Sequence, residues 1–188
     1  MEYMGNSSWW NERFKNRTLD RMTHENLLEK DIKYFKSQGK LLDLACGDGR
    51  NAIYLSKLGY EVTAVDFSKE ALNRLKFFME EEEVFIKTES IDLSKVNNFD
   101  ECEQFDGIVI NHYRLNPKSY IDLMKHLKQD GVLWVNGFCE IPEDNPNITK
   151  NDLIKDSDFL EIKSAILVDR MFYKVGDRNF VRYLWRKK

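Results

Sequence analysis

The segment from Lys40 to Cys46 is short, apolar on either side of a single acidic residue, Asp43, and runs straight into Gly47-Asp48-Gly49. A run of that length bounded by glycines predicts a buried strand ending in a tight turn rather than a helix. The residues that follow fix the fold class. Ala52, Leu55 and Leu58 recur at helical spacing and Gly59 closes them, after which Glu61 to Val65 reads as a second strand. Ser68 is a helix cap, and Ala71, Leu72, Leu75, Phe78 and Met79 line one helical face. Strand, helix, strand, helix with short joints predicts a parallel sheet covered on both faces and built from right-handed crossovers.

The alternation continues on both sides. Leu28, Ile32 and Phe35 after Thr23 predict a helix over 24–37, with Gly39 as its stop. Val84 to Ile86 and Phe105 to Ile110 read as strands, and Asn116-Pro117 opens a helix carrying Tyr120, Met124 and Leu127 that Gly131 ends. Val132 to Val135 is the next strand, and Thr149 with Asp152 opens a short helix after a loop holding Pro142 and Pro146. From Leu160 the pattern changes: Leu160 to Tyr173 and Phe180 to Trp185 read as two long strands joined around Gly176-Asp177, which predicts an antiparallel hairpin at one edge. The expected class is α/β, Rossmann-like and doubly wound, mostly parallel with that C-terminal hairpin. The Glu80 to Glu83 run is read as a solvated helix end.

Composition bounds the function. At 188 residues, 42% hydrophobic and 32% charged, the chain suits a single domain over 1–188, with an N-terminal helical cap or lid over 1–38 and a Rossmann-like core over 39–188. The 29 Lys and Arg against 32 Asp and Glu leave a net charge of -3, which argues against a nucleic-acid partner for the chain as a whole. Cys46, Cys102 and Cys139 are odd in number and far apart, which fits reduced thiols and neither a disulfide framework nor a metal site. Met1 to Phe14 has no apolar core flanked by basic residues, and no long apolar run follows. The expectation is a cytoplasmic protein without signal peptide or membrane partner, monomer or homodimer.

In an open parallel sheet, ligands bind beyond the carboxyl ends of the strands, and the loop after the first strand usually touches them. Here that loop is Asp43 to Asn51, whose glycines let the backbone turn sharply and approach a ligand. Gly47-x-Gly49-x-x-Ala52 also satisfies a loose dinucleotide fingerprint. Asp43, four residues before Gly47, would repel a pyrophosphate and suits a cationic ligand instead. Asp66, at the end of the next strand, is placed to accept hydrogen bonds from ribose hydroxyls. Together these residues call for a ribose and a positive charge.

Leu42-Asp43-Leu44-Ala45-Cys46-Gly47-Asp48-Gly49-Arg50, followed by Val62-Thr63-Ala64-Val65-Asp66-Phe67-Ser68, resembles the class I S-adenosylmethionine-dependent methyltransferases. The whole chain is similar in its order of elements to that family's seven-stranded sheet. Its size, the early Trp10-Asn11-Glu12-Arg13-Phe14 and the compact C-terminus look most like the tellurite-resistance-type small-molecule branch. The resemblance implies S-adenosyl-L-methionine as cofactor and transfer of its methyl group to a small-molecule acceptor, with a thiol or a chalcogen oxyanion as the family-level guess. It further implies that Asp43 orders the methionine amino end, that Ala45, Gly47, Gly49 and Asn51 shape the loop around it, and that Asp66 holds the ribose. Phe67 would pack beside the adenine, Asp92 in Ile91-Asp92-Leu93 would meet the adenine amino group, and Asn111 would lie along the methionine. The family usually has glycine where this chain has Ala45.

Each residue also has a plainer reading. Asp43 can simply tie down its own loop, Asp66 can cap a helix, Asp92-Leu93-Ser94 can be a turn, and Phe67 can belong to the core. On the acceptor side, Asn111-His112-Tyr113-Arg114 offers His112 as a base and Arg114 as an orienting cation, or else a backbone-bonded imidazole and a surface or helix-end arginine. His24 and His126 fall on predicted helices without companions and are set aside. Tyr3, Trp9, Trp10 and Phe14 either form a lid or pack on the sheet. Phe138, Glu140 and Asn145-Pro146 are placed to line the acceptor pocket, with Arg178, Asn179 and Arg182 adding positive charge. RNA or protein methylation and cofactor binding without catalysis are the alternatives, while Asp43 opposes a nicotinamide dehydrogenase.

Overall fold

The computed structural model describes residues 6–93, 103–145 and 147–188. Its centre is a seven-stranded sheet of order β3-β2-β1-β4-β5-β7-β6. The strands are β1 (Lys40–Leu44), β2 (Glu61–Asp66), β3 (Lys87–Ser90), β4 (Phe105–Asn111), β5 (Leu127–Phe138), β6 (Ala165–Val175) and β7 (Arg178–Lys187). The first five pair in parallel, while β7 runs antiparallel to both β5 and β6. The expected parallel sheet and C-terminal hairpin are therefore present. The helices are α1 (Ser7–Lys15), α2 (Asn26–Asp31), α3 (Arg50–Lys57), α4 (Lys69–Glu81) and α5 (Ser119–Leu123).

Strands buried on both faces must be apolar on both, and these are. Leu41, Val62, Ala64, Val109 and Trp134 pack into one layer with Leu28, Ile53, Leu55 and Leu75 from the helices. Leu42, Leu44, Val65, Ile108, Ile110 and Leu133 face the other way, against Tyr120, Leu123, Phe159 and Tyr183. Because β1 pairs with β2 on one side and β4 on the other, the chain order reverses at β1, and a crevice opens beyond the carboxyl ends of those strands.

Several element boundaries differ from the sequence expectations. The helix expected over 24–37 is α2 alone, followed by one tighter turn over Ile32–Tyr34, because Phe35 is already extended. The third strand begins at Lys87 rather than Val84, since the Val84 amide donates to Met79 O and finishes the end of α4. Leu127 does not extend a helix to Gly131; it is the first residue of β5 and pairs with Phe105, with an irregularity in the ladder before Gly107 meets Val132. Thr149 and Asp152 form a turn, not a helix, in which the Asp152 carboxylate accepts from the Thr149 amide and hydroxyl. Ser68 does cap α4, accepting from the Ala71 amide. Cys46 and Cys139 are free thiols, whereas Tyr3, Ser94, Cys102 and Pro146 lie outside the described residues. No helix among the described residues is long and apolar enough to cross a membrane.

One charged cluster is buried under the sheet. Arg182 of β7 is 1% exposed, its Nε lies 2.8 Å from Asp31 Oδ2 at the end of α2, and Trp134 Nε1 of β5 donates to the same oxygen at 2.9 Å. Asp31→Ala leaves the buried guanidinium with Asp169 alone and orphans the indole N–H. We expect it to lower unfolding free energy by about 3 kcal/mol, read from urea denaturation.

Candidate active site

The crevice holds a cavity of about 1780 Å³. Its floor is the loop between β1 and α3, which leaves the strand through Ala45 at φ +54, turns at Gly47 at φ +57 and enters α3 through Gly49 at φ +84. Ala45 adopts a left-handed conformation that a β-carbon makes costly and that glycine adopts freely, which gives a physical reason for a glycine preference there. A β-carbon on Gly47 would stand 3.2 Å from Phe14 Cζ, so α1 lies directly over this turn. Gly49 does not line the cavity. A β-carbon there would fall 2.2 Å from Leu75 Cδ1, so its bare backbone lets the loop close onto α4.

Two carboxylates stand at the strand ends. Asp66 Oδ2 accepts from the Gly47 amide and Oδ1 from the Ser68 amide, both at 2.9 Å. Burial still raises its carboxyl above the ordinary range against these bonds. Asp43 is 1% exposed, and its Oδ2 has no hydrogen-bond partner. Burial, reinforced by Asp66 and opposed by Arg50, pushes it up to about 7. A buried acceptor without a donor, on the wall of a cavity, suits a cationic or N–H-bearing ligand. Cys46 lies between them with its thiol pushed up by burial and by both carboxylates, so it stays a thiol rather than a nucleophile.

The remaining sequence candidates fall as follows. Phe67, Asp92, Leu93, Asn111 and His112 all line the cavity, as does Asn51, whose Oδ1 accepts from the Glu25 amide at 2.9 Å. Phe67 is half-buried and lies outside the two main core layers, while Leu93 also belongs to the core. Asn111 Oδ1 accepts from Asn136 Nδ2. Arg114 is not brought to the cavity: Asp158 holds its Nε at 2.8 Å, and Asn151 O accepts from its Nη1 at 3.1 Å. Arg182 is likewise held away by Asp31, and Asn179 donates to Glu140. Arg178 lines the cavity but is paired with Asp144. His24, set aside from sequence, has companions after all, stacking on Tyr54 at 3.8 Å and lying 3.1 Å from Glu29. His126 approaches Glu103 O at 3.0 Å.

Sequence reasoning missed Glu25 and Arg50. Glu25 Oε2 lies 3.3 Å from His112 Nε2 and 3.4 Å from Arg50 Nη2, a meeting of groups far apart in the chain that no local pattern announces. At the opposite wall, Trp9, Trp10, Arg13 and Phe14 of α1 line the cavity, and Asn11 Oδ1 accepts from Ser68 Oγ at 2.8 Å. Arg74 anchors the segment after α1, donating to Asp48 Oδ2, Arg17 O and Thr18 O.

Asp43 carries a pH signature. Its carboxyl titrates at 3.8 when unrestrained and at about 7 when folded, so the folded state holds the proton more tightly. The stability this contributes is full below the lower value and is lost as pH rises through the upper one. Between pH 4 and 7.5 the ligand-free protein should lose up to about 4 kcal/mol relative to Asp43→Asn, measured by urea denaturation of both across that range.

Three comparisons bear on this site. The family model described as "Tellurite resistance protein TehB" matches residues 6–135. A "Probable S-adenosyl-L-methionine-dependent methyltransferase TehB" of Haemophilus influenzae is 36% identical over 92 residues, 48% of this chain and 31% of that relative. A "Putative methyltransferase YqeM" of Bacillus subtilis is 28% identical over 172 residues, 85% of this chain and 66% of that one. The chain thus spans about a third to two thirds of the length of these curated relatives. The crystal structure of TehB from Haemophilus influenzae superposes with a TM-score of 0.71 at 24% identity, over 95% of this chain and 67% of that one. The match over residues 6–135 takes in the first four strands, most of β5, α1 and the loop beneath the cavity, and the chain belongs to the TehB family.

Proposed function

We propose that this chain is an S-adenosylmethionine-dependent methyltransferase acting on a small-molecule acceptor. The observation that carries the reading is the buried Asp43 carboxylate, whose Oδ2 lacks a hydrogen-bond donor, on the wall of a cavity at the sheet's switch point. The similarity to the Haemophilus and Bacillus relatives, both named as methyltransferases, supports it. When bound, the cofactor supplies an activated methyl group on a sulfonium.

The residues on the cavity wall fit that group. Asp43 offers its free oxygen to the cationic amino end, and Gly47 and Ala45 bring backbone close to it. Asp66 still has lone pairs for ribose hydroxyls, Phe67 offers an aromatic face, and Asp92 and Leu93 border the adenine end. Asn51 and Asn111 flank the methionine end. Gly49 acts by letting the loop seat on α4, and Arg114 has no assigned part. The segment over 1–38 is proposed as a lid on the core, with Trp10 and Phe14 of α1 excluding water. Transfer to a small acceptor fits a cavity walled by aromatic side chains.

Calorimetric titration with S-adenosylmethionine, its demethylated product and NAD, each alone, tests the reading. Micromolar binding of the first two is expected; NAD binding alone would overturn it. Asp66→Ala should weaken cofactor binding by about 1.5 to 3 kcal/mol, through loss of charge-assisted hydrogen bonds. Because the cation favours ionised Asp43, binding should release a proton. The affinity should therefore rise by up to about 10-fold per pH unit below pH 7, a slope that Asp43→Asn abolishes.

A further inference from the structure

We propose that Glu25 is a positioning residue that makes His112 the proton acceptor for an uncharged aromatic hydroxyl, so that the methyl acceptor is a phenol. The inference rests on the methyltransferase reading and names its acceptor class.

Glu25 is held before it meets His112. Its amide donates to Asn51 Oδ1 at 2.9 Å, its backbone is extended just ahead of α2, and Arg50 approaches its Oε2 at 3.4 Å. Burial raises its carboxyl, but His112 and Arg50 outweigh burial and hold it below the usual range, so it is a carboxylate at neutral pH. A carboxylate 3.3 Å from Nε2 selects the tautomer protonated there and leaves the Nδ1 lone pair to accept a proton. The His112 backbone is fixed as well, left-handed at φ +55 with its amide donating to Asn136 O at 2.7 Å. Strain of this kind persists where the surroundings enforce it, and it clusters at functional sites.

The walls beside His112 describe the acceptor. Its ring lies 5.5 Å from Phe138 and 5.3 Å from Phe180, these two lie 4.8 Å apart, and Tyr173 stacks on Phe180 at 5.4 Å. All four rings line the cavity, and such faces suit a planar aromatic partner. Of the guanidiniums lining the cavity, Arg50 is engaged by Glu25 and Arg178 by Asp144, so neither is left to hold an oxyanion. A thiol ionises near pH 8.5 with little help, whereas a phenol ionises near 10 and gains from a base, with both values approximate.

In the reaction, the phenol O–H bond breaks and its proton goes to His112. The oxygen lone pair forms the new O–C bond, and the electrons of the sulfur–methyl bond leave with the sulfur. The charged group against His112 is Glu25 ahead of α2, which Arg50 of α3 also approaches; Tyr173 of β6 lines the same cavity, its phenol pushed above its usual range by burial, and Asp43 of β1 acts on this set through Arg50.

Two experiments need no cofactor. In 15N NMR at neutral pH, the neutral His112 imidazole should carry its proton on Nε2 in the wild type and lose that preference in Glu25→Gln. 4-Nitrophenol bound at pH 6 should show the visible band of its anion, with at least about threefold less anion in Glu25→Gln and in His112→Gln. With saturating S-adenosylmethionine, the wild type should methylate phenol, catechol or 2-naphthol. Glu25→Gln should lower kcat on that substrate by about 10²-fold, with the residual activity climbing only toward the phenol's own ionisation at about pH 10, yet spare 4-nitrophenol at pH 8, where it is already ionised. Glu25→Asp should recover part of the loss. An unchanged His112 tautomer, or equal losses on both kinds of phenol, would overturn the positioning role. Cofactor-saturated enzyme that methylates thiols but none of these phenols overturns the acceptor class and leaves the transferase reading standing. Failure to bind S-adenosylmethionine strikes that earlier reading, and the nitrophenol and NMR results then still decide the dyad.

Discussion

The Asp66 carboxylate accepts one amide from Gly47 and another from Ser68, so a single side chain joins the turn after β1 to the turn after β2. Neighbouring parallel strands hold each other through ladder bonds that stop at the sheet's edge, and beyond it loops have only side chains to register them. Here the registration is done by a buried acid. The glycine turn is thereby seated against α4, Phe14 comes to rest on Gly47, and the N-terminal segment has a surface to lie on.

That arrangement concentrates negative charge. Burial raises both carboxyls; Asp66 adds to the effect on Asp43, and Asp48 to the effect on Asp66. The positive side chains that answer them come from different elements: Arg50 from the start of α3, Arg17 after α1 and Arg74 from α4, the last two sharing Asp48. The balance is incomplete at Asp43, and a cationic ligand would complete it. Affinity in such a site comes partly from relieving a cost that the empty fold carries.

The parts of the molecule legible in sequence were those set by local rules. The apolar run of β1, the Ser68 cap and the turn at Gly176 each carry their own signal within a few residues, and they define the sheet, its hairpin and the cavity floor. Boundaries failed where packing decided them. Leu127 has helical spacing from Tyr120 and Met124, yet pairing with Phe105 draws it into β5. Arg114 has the chemistry to orient an anion, yet Asp158, buried and 44 residues away, captures it. Glu25 reads as an ordinary helix residue because its meaning depends on His112, 87 residues on. Contacts of that separation leave no periodicity to find.

The antiparallel hairpin has a consequence for assembly. β7 follows β6 in the chain but lies inside it, between β6 and β5. A chain emerging from synthesis can form β1 to β5 in turn, but that sheet ends in an exposed β5 edge until residues 178–187 arrive. Arg182 must then enter its buried place beside Asp31, a residue from the first part of the chain. Closing that contact brings together segments 151 residues apart, a large loop-closure cost that precedes its reward. Folding should therefore be slow and late in its final step, and until β7 docks the open edge is the surface on which two nascent chains can pair with each other.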